Sequence, residues 1–299
     1  MRKAKNLVFK TVVFLLMIGL AYVILFPFLV KLSSSLMSPD DLYDSSVSLI
    51  PKSFYLGNFK YIIDQPNFFK SFFNTLIYAV AVAGCTVVSS TLVGYGFARY
   101  KFRGSNICFA LLIITLLVPG LTISVPMYAK FRFFDFFGIF KLISGEKLNL
   151  TGTIVPLILL SLSCLGFRGG IHTVLMRQYF RGVPNEIAEA AYVDGAGHFK
   201  TFITIMLPMA RSIIVVVFVL AFAWQWSDTY FLDILYTSKD LFPNLVMVLT
   251  SADTQASDYY IRIVYANAGA LLAVIPPLVF YIIFQRKIIE GIERAGLVG

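Results

Sequence analysis

The hydrophobic residues of this chain are gathered in long runs that contain no Asp, Glu, Lys or Arg. A helix needs about 20 mostly apolar residues to cross the hydrocarbon core of a bilayer. Six runs approach that length and predict spanning helices: Thr11–Val30, Phe72–Ala98, Gly104–Ala129, Leu148–Phe167 (resuming beyond Arg168 to Leu175), Ser212–Ser227 with the apolar 201–210 before it, and Ile263–Gln285. A shorter apolar segment, Leu241–Ala252, predicts an interfacial or re-entrant piece. The pattern therefore predicts an all-α polytopic membrane protein with six transmembrane helices.

The composition excludes an ordinary soluble protein. Of the 299 residues, 58% are hydrophobic and 14% are charged, whereas soluble domains carry about a quarter charged residues. The first apolar run follows Arg2, Lys3, Lys5 and Lys10. It is too long for a typical signal peptide, and no small-residue cleavage site follows it cleanly. We therefore expect this run to remain as a spanning helix.

The charged residues between the runs predict the orientation of the chain. Six spans place both termini on one side, and putting them inside gives the inner segments most of the Lys and Arg, as in Arg99–Arg103. Because positive residues favour the cytoplasm, we expect both termini to be cytoplasmic. The net charge of +9 then reflects topology. The basic residues are scattered over short loops with no basic stripe, so we expect no nucleic-acid partner.

Few residues offer reactive or metal-binding chemistry. The three cysteines, Cys85, Cys108 and Cys164, fall in apolar runs without ligand spacing, so we interpret them as packing residues and expect no disulfide. The two histidines, His172 and His198, lie far apart in sequence, and no GxxxxGKS/T phosphate loop is present. We expect no cofactor, no metal ion and no catalytic residue.

The longest predicted inner loop, about residues 176–210, contains an unusual segment between Pro184 and Gly195. Pro184 and Asn185 suit the start of a helix, and Glu186 lies in the first turn, where the helix dipole favours an acid. Asp194 followed by Gly195 predicts the end of the helix, because glycine readily adopts the left-handed conformation that closes one. We predict a short cytoplasmic helix here and a second helix starting near Gly197.

The small side chains of this segment suggest a role. Ala190 and Ala191 leave little bulk, so another surface can approach closely, and Glu189 adds a fixed charge. These properties suit a knob that enters a cleft of a partner protein. The alternative is an ordinary loop helix, which composition alone would favour.

The spacing within this loop is specific. Glu189-Ala190-Ala191, Gly195, Ile205 and Leu207-Pro208 resemble the EAA loop of permeases in binding-protein-dependent ABC importers, with every fixed position at the family spacing. Three further segments are similar to the carbohydrate-uptake, maltose-system type of these permeases: Asn74-Thr75, Gly96–Arg99 and Gly291–Gly299. The resemblance covers about residues 71–299.

The resemblance implies a type I ABC importer permease fold and a multi-pass position in a bacterial cell (inner) membrane. In such permeases the EAA helix docks into a cleft on a cytoplasmic ATPase. The resemblance therefore assigns ATPase coupling to a group of residues on and just after the helix: Glu186, Glu189, Ala190, Ala191, Asp194 and Gly195. The implied substrate is a sugar or an oligosaccharide.

The resemblance also implies partners and a division of the chain. The expected partners are a second homologous permease subunit with a different sequence, a dimer of ATP-binding cassette ATPases, an extracytoplasmic substrate-binding protein and the lipid bilayer. ATP hydrolysis is expected on a partner subunit. Residues 1–70 would form an N-terminal transmembrane helix and an extracytoplasmic segment, residues 71–290 the permease domain, and residues 291–299 a cytoplasmic tail.

Two groups of residues are candidates for the substrate pathway. Arg168 and His172 are four residues apart and would share a helix face, and ionisable residues in spans usually face a cavity or a partner. This face would favour an anionic or acidic-sugar substrate; the alternative is that Arg168 lies near the inner interface as a structural charge.

The second group lies at the predicted outer end of the fifth span. Trp224 and Asp228 would share one helix face, as would Trp226 and Tyr230, and aromatic faces beside an acceptor suit sugar rings. The alternative is that these aromatic residues anchor the helix at the membrane interface, where Trp and Tyr gather.

Three rival functions remain to be separated from the importer. An ion-gradient-driven secondary transporter should carry carboxylates near the bilayer midplane, and the six apolar runs contain none. A membrane enzyme requires a reactive constellation, which the sequence does not offer. A structural membrane protein would not require the matched loop spacing.

Overall fold

The structure is a computed structural model that describes residues 2–166, 168–236, 245 and 258–296. Over these residues the regular secondary structure is helical, with an isolated antiparallel bridge between Phe134 and Leu148. This confirms the predicted all-α class. The chain divides into two compact units, one made of Met1–Lys70 with Leu245–Ile275 and the other of Ser71–Asn244 with Pro276–Gly299.

The first unit contains α1 (Arg2–Ser35), α2 (Pro39–Tyr43), α3 (Gly57–Ile63) and the start of the last helix of the chain. Ser38 forms a capping box with Asp41, which fixes the beginning of α2. The buried Asn58 side chain donates hydrogen bonds to the carbonyls of Ser35 and Met37, at 2.9 and 2.8 Å. Polar bonds of this kind organise the segment that follows the first apolar helix.

The second unit is built around α4 (Phe68–Arg99), most of which it contains. Hydroxyl groups inside this apolar helix bond to carbonyls of the helix itself, as Thr86 does to Val82 at 2.9 Å. Gly94 allows a close helix crossing, because a Cβ there would lie 2.7 Å from the Cβ of Met176.

The remaining helices follow in chain order. They are α5 (Ser105–Leu117), α6 (Gly120–Arg132), α7 (Ile139–Ser144), α8 (Val155–Leu162), α9 (Gly169–Gly182), α10 (Asn185–Val193), α11 (His198–Met209, with a π-helical turn at Phe202–Met206), α12 (Arg211–Trp226), α13 (Tyr230–Leu235) and α14 (Tyr259–Gly296). The last of these begins in the first unit and ends in the second.

Several of the predicted spans are broken in the structure. Among the residues that the structure describes, three stretches are long and apolar enough to cross a membrane as single helices, within α1, α4 and α14, and two helix pairs qualify as bent spans. The pair α5–α6 bends by 105° and the pair α11–α12 by 74°. In the first pair Pro119 restricts Val118 to an extended conformation, which ends α5.

The predicted fourth span, Leu148–Phe167, does not form one helix. Its helical part is the eight-residue α8, and the chain then turns before α9 begins. The count of six spans therefore stays a prediction. Apart from Leu245, the predicted re-entrant piece Leu241–Ala252 lies outside the described residues, as do residues 297–299 of the tail.

A cluster of buried residues lies where α4, α9, α10, α11 and α12 meet. It is made of aromatic and aliphatic side chains: Tyr95, Met176, Tyr179, Phe180, Val183, Ala188, Phe202, Met206, Ala210, Ile213, Val216 and Val217. Burial of this surface fixes α10 on the helices around it. The short helix predicted to contact a partner is therefore part of a packed core.

Candidate coupling helix and central cavity

Helix α10 has the bounds that the sequence predicts. Pro184 precedes its first residue, Asn185, and the helix ends at Val193. Gly195 has a φ of +82°, and its N–H donates to the carbonyl of Tyr192 at 3.0 Å. A left-handed glycine of this kind closes the helix at little conformational cost. The predicted second helix also starts as expected, with Gly197 as the cap of α11.

The two faces of α10 differ sharply. Ala188 and Ala191 are buried, with exposed fractions of 8% and 6%, because they pack into the core. The opposite face is exposed and carries residues of the predicted coupling group: Glu186, Glu189 and Ala190, with Asp194 and Gly195 just beyond the helix end. Ala191 thus faces the protein's own core. Of the two predicted alanines, Ala190 is therefore the one whose small side chain lies on the exposed face of α10. Val193, which sequence reasoning did not single out, is 87% exposed beside it.

The break between α8 and α9 is tightly built. Cys164 and Arg168 have φ values of +58° and +60°, a left-handed conformation that is uncommon for residues other than glycine. A Cβ at Gly169 would lie 2.6 Å from the Cys164 carbonyl oxygen, and one at Gly170 would lie 2.8 Å from Leu116 Cδ2. On the other side, Ser89 in α4 donates to the Ser161 carbonyl at 2.6 Å. Packing from several directions therefore fixes this non-helical turn.

Next to this break lies a cavity of about 500 Å³, within the second unit. Its wall is formed by α5, α6, α8, α9, α12 and α13 and by the turns between them. Most of the wall is apolar, and the polar side chains that line it are Thr115, Lys130, Ser161, Arg168, Gln225 and Asp228. Largely apolar concave sites with a few placed polar groups are typical of small-molecule binding sites.

Arg168 is positioned by an aromatic ring. Its guanidinium carbon lies 4.5 Å from the centre of the Trp224 indole ring, a distance that gives a favourable cation–π contact. The ring of His172 lies 5.1 Å from the same indole ring and is buried, with 1% exposed. The structure thus brings Arg168, His172 and Trp224 together. Arg168 lines the cavity but precedes α9 as its cap, so it does not share a helical face with His172 as expected.

Asp228 also lines the cavity, in a hydrogen-bonded environment. The side chain of Gln225 donates to Asp228 Oδ2 at 3.1 Å and also to the hydroxyl of Tyr78 in α4. The Phe231 N–H donates to Asp228 Oδ1 at 3.2 Å. Asp228 lies beyond the end of α12, so the predicted helical pairing with Trp224 does not form.

Trp226 and Tyr230 have different positions from those predicted. Trp226 is 1% exposed, and its ring packs near those of Phe72 and Phe222, so it is a core residue. Helix α12 ends at Trp226, and Tyr230 is the first residue of α13. The two residues therefore do not share a helical face. The Tyr230 ring lies against the start of α6, where a Cβ at Gly120 would approach it to 3.7 Å.

Sequence reasoning missed Lys130, Gln225 and Tyr78. Lys130 lies just after the third apolar run, and Gln225 lies within the fifth, so hydropathy alone did not mark either as lining a cavity. A polar amide inside an otherwise apolar span was the available signal for Gln225, since such a group requires a hydrogen-bond partner there. Tyr78 had no signal of its own.

Comparison with known proteins identifies the family and the fold. Residues 90–293 match the family model described as the binding-protein-dependent transport system inner membrane component. The arabinooligosaccharides transport system permease protein AraQ of Bacillus subtilis is 28% identical over 291 residues, which cover 96% of this chain and 94% of AraQ. The maltodextrin transport system permease protein MalD of Streptococcus pneumoniae is 27% identical over 296 residues, covering 98% and 97%.

A solved structure shares the fold. It is that of a bacterial ABC transporter involved in the import of the acidic polysaccharide alginate, and it matches with a TM-score of 0.69 and 18% sequence identity. The match covers 94% of this chain and 97% of the other. It confirms the ABC importer permease fold. Since the family model spans more than half of the residues, this chain belongs to the family of binding-protein-dependent transport system inner membrane components.

Proposed function

We propose that the chain is one of two permease subunits of an ATP-driven importer that moves a sugar or an oligosaccharide across the cell membrane. An extracytoplasmic binding protein delivers the substrate, and a cytoplasmic ATPase dimer supplies the energy. Family membership supports the transport role. The saccharide class is supported by the relatives, since AraQ is named for arabinooligosaccharides and MalD for maltodextrin.

The observation that carries the proposal is the division of α10 into two faces. Ala188 and Ala191 hold the helix on the core, while Glu186, Glu189 and Ala190 point away from it. A short helix that is rigidly supported on one side and has small or charged side chains on the other suits insertion into a cleft. We assign that cleft to the ATPase. Movement of the ATPase dimer would then displace α10 and, through the cluster of buried residues, the helices α4, α9 and α12 that pack against it.

The proposed topology has six crossings with both termini in the cytoplasm. The crossings are α1, α4, the bent pair α5–α6, the broken pair α8–α9, the bent pair α11–α12, and α14. Arg99 and Arg103 then lie on the same side as α10, as the positive-inside rule requires. Broken helices are tolerated inside a membrane where they line a cavity, which is the position of the α8–α9 break.

We further assign the substrate pathway to the cavity and its anion selectivity to Arg168. The cavity has two cationic side chains, Arg168 and Lys130, and one carboxylate, Asp228, which is held by Gln225 and the Phe231 N–H. A guanidinium matches the geometry of a carboxylate. The proposed substrate is therefore a saccharide that carries an acidic group such as a uronate.

Reconstitution tests this function. The complex would be purified through a tag on this chain, incorporated into liposomes with its co-purifying subunits and binding protein, and supplied with labelled neutral or uronate-bearing oligosaccharides. We expect uptake that requires ATP and binding protein, with the acidic substrate preferred. Uptake driven by an ion gradient without ATP would instead identify a secondary transporter. ATP-dependent uptake restricted to neutral sugars would support the importer function but contradict the proposed anion selectivity through Arg168.

A further inference from the structure

The last residue of α4, Arg99, bonds to the corner at which the coupling helix α10 begins. One guanidinium nitrogen, Nη2, donates to the carbonyl of Val183 at 2.5 Å, and the other, Nη1, donates to Oδ1 of Asn185. These two acceptors flank Pro184, so the guanidinium spans the turn from α9 into α10. Arg99 thus joins α4 to the entrance of the coupling helix.

Aromatic contacts join the same end of α4 to the exit of the coupling helix. The ring of Tyr100 lies 5.9 Å from that of His198, and His198 Nδ1 is 2.8 Å from the Tyr192 hydroxyl. One turn earlier in α4, the ring of Tyr95 lies 4.7 Å from that of Phe202 in α11. Consequently α10 is connected to the end of α4 at both of its own ends.

The chemistry of arginine suits the connection at the entrance. A planar guanidinium presents several N–H groups in a fixed fork and can bond two acceptors at once, whereas a lysine ammonium acts as a compact point charge. A hydrogen bond that involves a charged donor stabilises a structure more than a neutral one does. Arg99 also lies at the C-terminal end of α4, where the helix dipole favours a cation.

We propose that Arg99 is the positioning residue that makes α4 and the coupling helix move as one body. This inference rests on the proposed function, because the movement is the one that ATPase closure imposes on α10. When the ATPase shifts α10, the guanidinium carries that displacement into α4, which packs along the Ser161 end of α8 through Ser89. Without Arg99, α10 still docks, but the displacement reaches α4 less completely.

The experiment measures uptake and ATP hydrolysis together in liposomes that contain the complete importer. The variants are Arg99→Ala and Arg99→Lys, and the matched control is Arg103→Ala. Arg103 is four residues away and exposed, and it has no hydrogen bond or ion pair within the described part of the chain. Arg103→Ala therefore removes one positive charge close to Arg99 and leaves the hydrogen bonds at Val183 and Asn185 intact.

We expect Arg99→Ala to assemble and to hydrolyse ATP, with about tenfold less substrate moved per ATP. Arg99→Lys should recover part of this loss, and Arg103→Ala should resemble the unmodified protein. Asn185→Ala should lower the ratio by itself but add little to Arg99→Ala, because both changes remove the same bond.

Two results would overturn the inference. One is an Arg99→Ala complex that moves as much substrate per ATP as the unmodified importer. The other is an Arg99→Ala chain that fails to assemble with the ATPase, since this would give Arg99 a role in assembly. Failure of the proposed function would be distinguishable, because the unmodified complex would then show no ATP-dependent uptake at all.

Discussion

Helix α10 and the cavity beside the α8–α9 break lie in the same compact unit, but α10 is a regular helix whereas the cavity adjoins a non-helical turn. Helix α10 is regular from Asn185 to Val193 and closes with a glycine at φ +82°. The cavity lies beside a broken segment in which two non-glycine residues, Cys164 and Arg168, take the left-handed conformation.

In the proposed function, this difference corresponds to two tasks. A surface that receives force from a partner needs rigid support, and α10 has it through Ala188, which is buried in a cluster with aromatic residues. A site that binds a polar substrate inside a membrane needs backbone and side chains that turn away from helical order, and such irregular structure is tolerated only around a cavity or within protein. Strain at Arg168 is the conformational cost of placing its guanidinium there.

Reversal of the charge at Glu189 tests the role of the exposed face of α10, and it has the largest expected effect. Glu189→Lys changes the outer face of α10 without touching Ala188 or Ala191, so the fold and the cavity should be unaffected. We expect uptake to fall about a hundredfold, with retained assembly and uncoupled ATP hydrolysis, if the docking cleft is desolvated around this charge. Glu189→Gln, which removes the charge but keeps the shape, should cause a smaller loss. Normal uptake by Glu189→Lys would contradict the docking role.

A second change acts on the broken backbone. Gly169→Ala would place a Cβ 2.6 Å from the Cys164 carbonyl oxygen, so the turn must shift. We expect a loss of about 1–3 kcal/mol in stability, measured as a lower thermal midpoint in detergent. Gly96→Ala is the matched control, because a Cβ at Gly96 meets nothing within 4 Å. Equal midpoints for the two variants would show that the α8–α9 turn is not tightly packed.

A third change tests the cavity charge directly. Arg168→Gln keeps a non-glycine residue in the left-handed conformation, so the backbone strain is matched while the charge is lost. For a uronate-bearing substrate we expect about a tenfold fall in transport efficiency, in line with the loss of one charged hydrogen bond. A neutral oligosaccharide should be transported equally well by both proteins. Unchanged kinetics for the acidic substrate would remove Arg168 from the pathway.

The smallest effect is expected at the ring beneath Arg168. Trp224→Phe retains an aromatic face but weakens the cation–π contact by about 0.5–1 kcal/mol, so the preference for the acidic substrate should fall about threefold. Trp226→Phe serves as the comparison, because Trp226 lies in the core. It should lower stability and leave the preference unchanged. If Trp226→Phe lowered the substrate preference and Trp224→Phe lowered only stability, Trp224 would not be the residue that supports Arg168.

The coupling helix could be predicted from sequence nearly to the residue because its signals are local. A proline before the helix, an acid in the first turn and a left-handed glycine after it each act within a few residues. The one error, placing Ala191 on the outer surface, arose because the burial of a face depends on which neighbours pack against it. That information lies in other helices: Phe180 of α9 and Phe202 and Met206 of α11 belong to the cluster of buried residues that includes Ala188 on the inner face of α10.

The cavity could be predicted only in part. The sequence marked Arg168 and Asp228 as pathway candidates, in two separate groups and through helical spacings that the structure does not contain; that both line one cavity, with Trp224 against Arg168, was not predicted. Hydropathy treats 148–167 as one apolar run, while the chain after α8 turns where Gly169 lies against Cys164 and Gly170 lies against Leu116 of α5. Such turns are set by tertiary packing, so a pattern of apolar residues alone does not indicate where a span breaks.

The most direct test of the docking account compares two neighbouring alanines. A photo-reactive thiol reagent would be attached at Ala190→Cys or at Ala191→Cys, after the native cysteines are replaced by alanine, and the assembled importer would be illuminated. Ala190 is exposed, whereas Ala191 faces the core. If α10 docks on the ATPase, position 190 forms a cross-link with the ATPase and position 191 forms none. A cross-link from position 191 alone, or from neither position in an active importer, would contradict the docking of α10 on the ATPase.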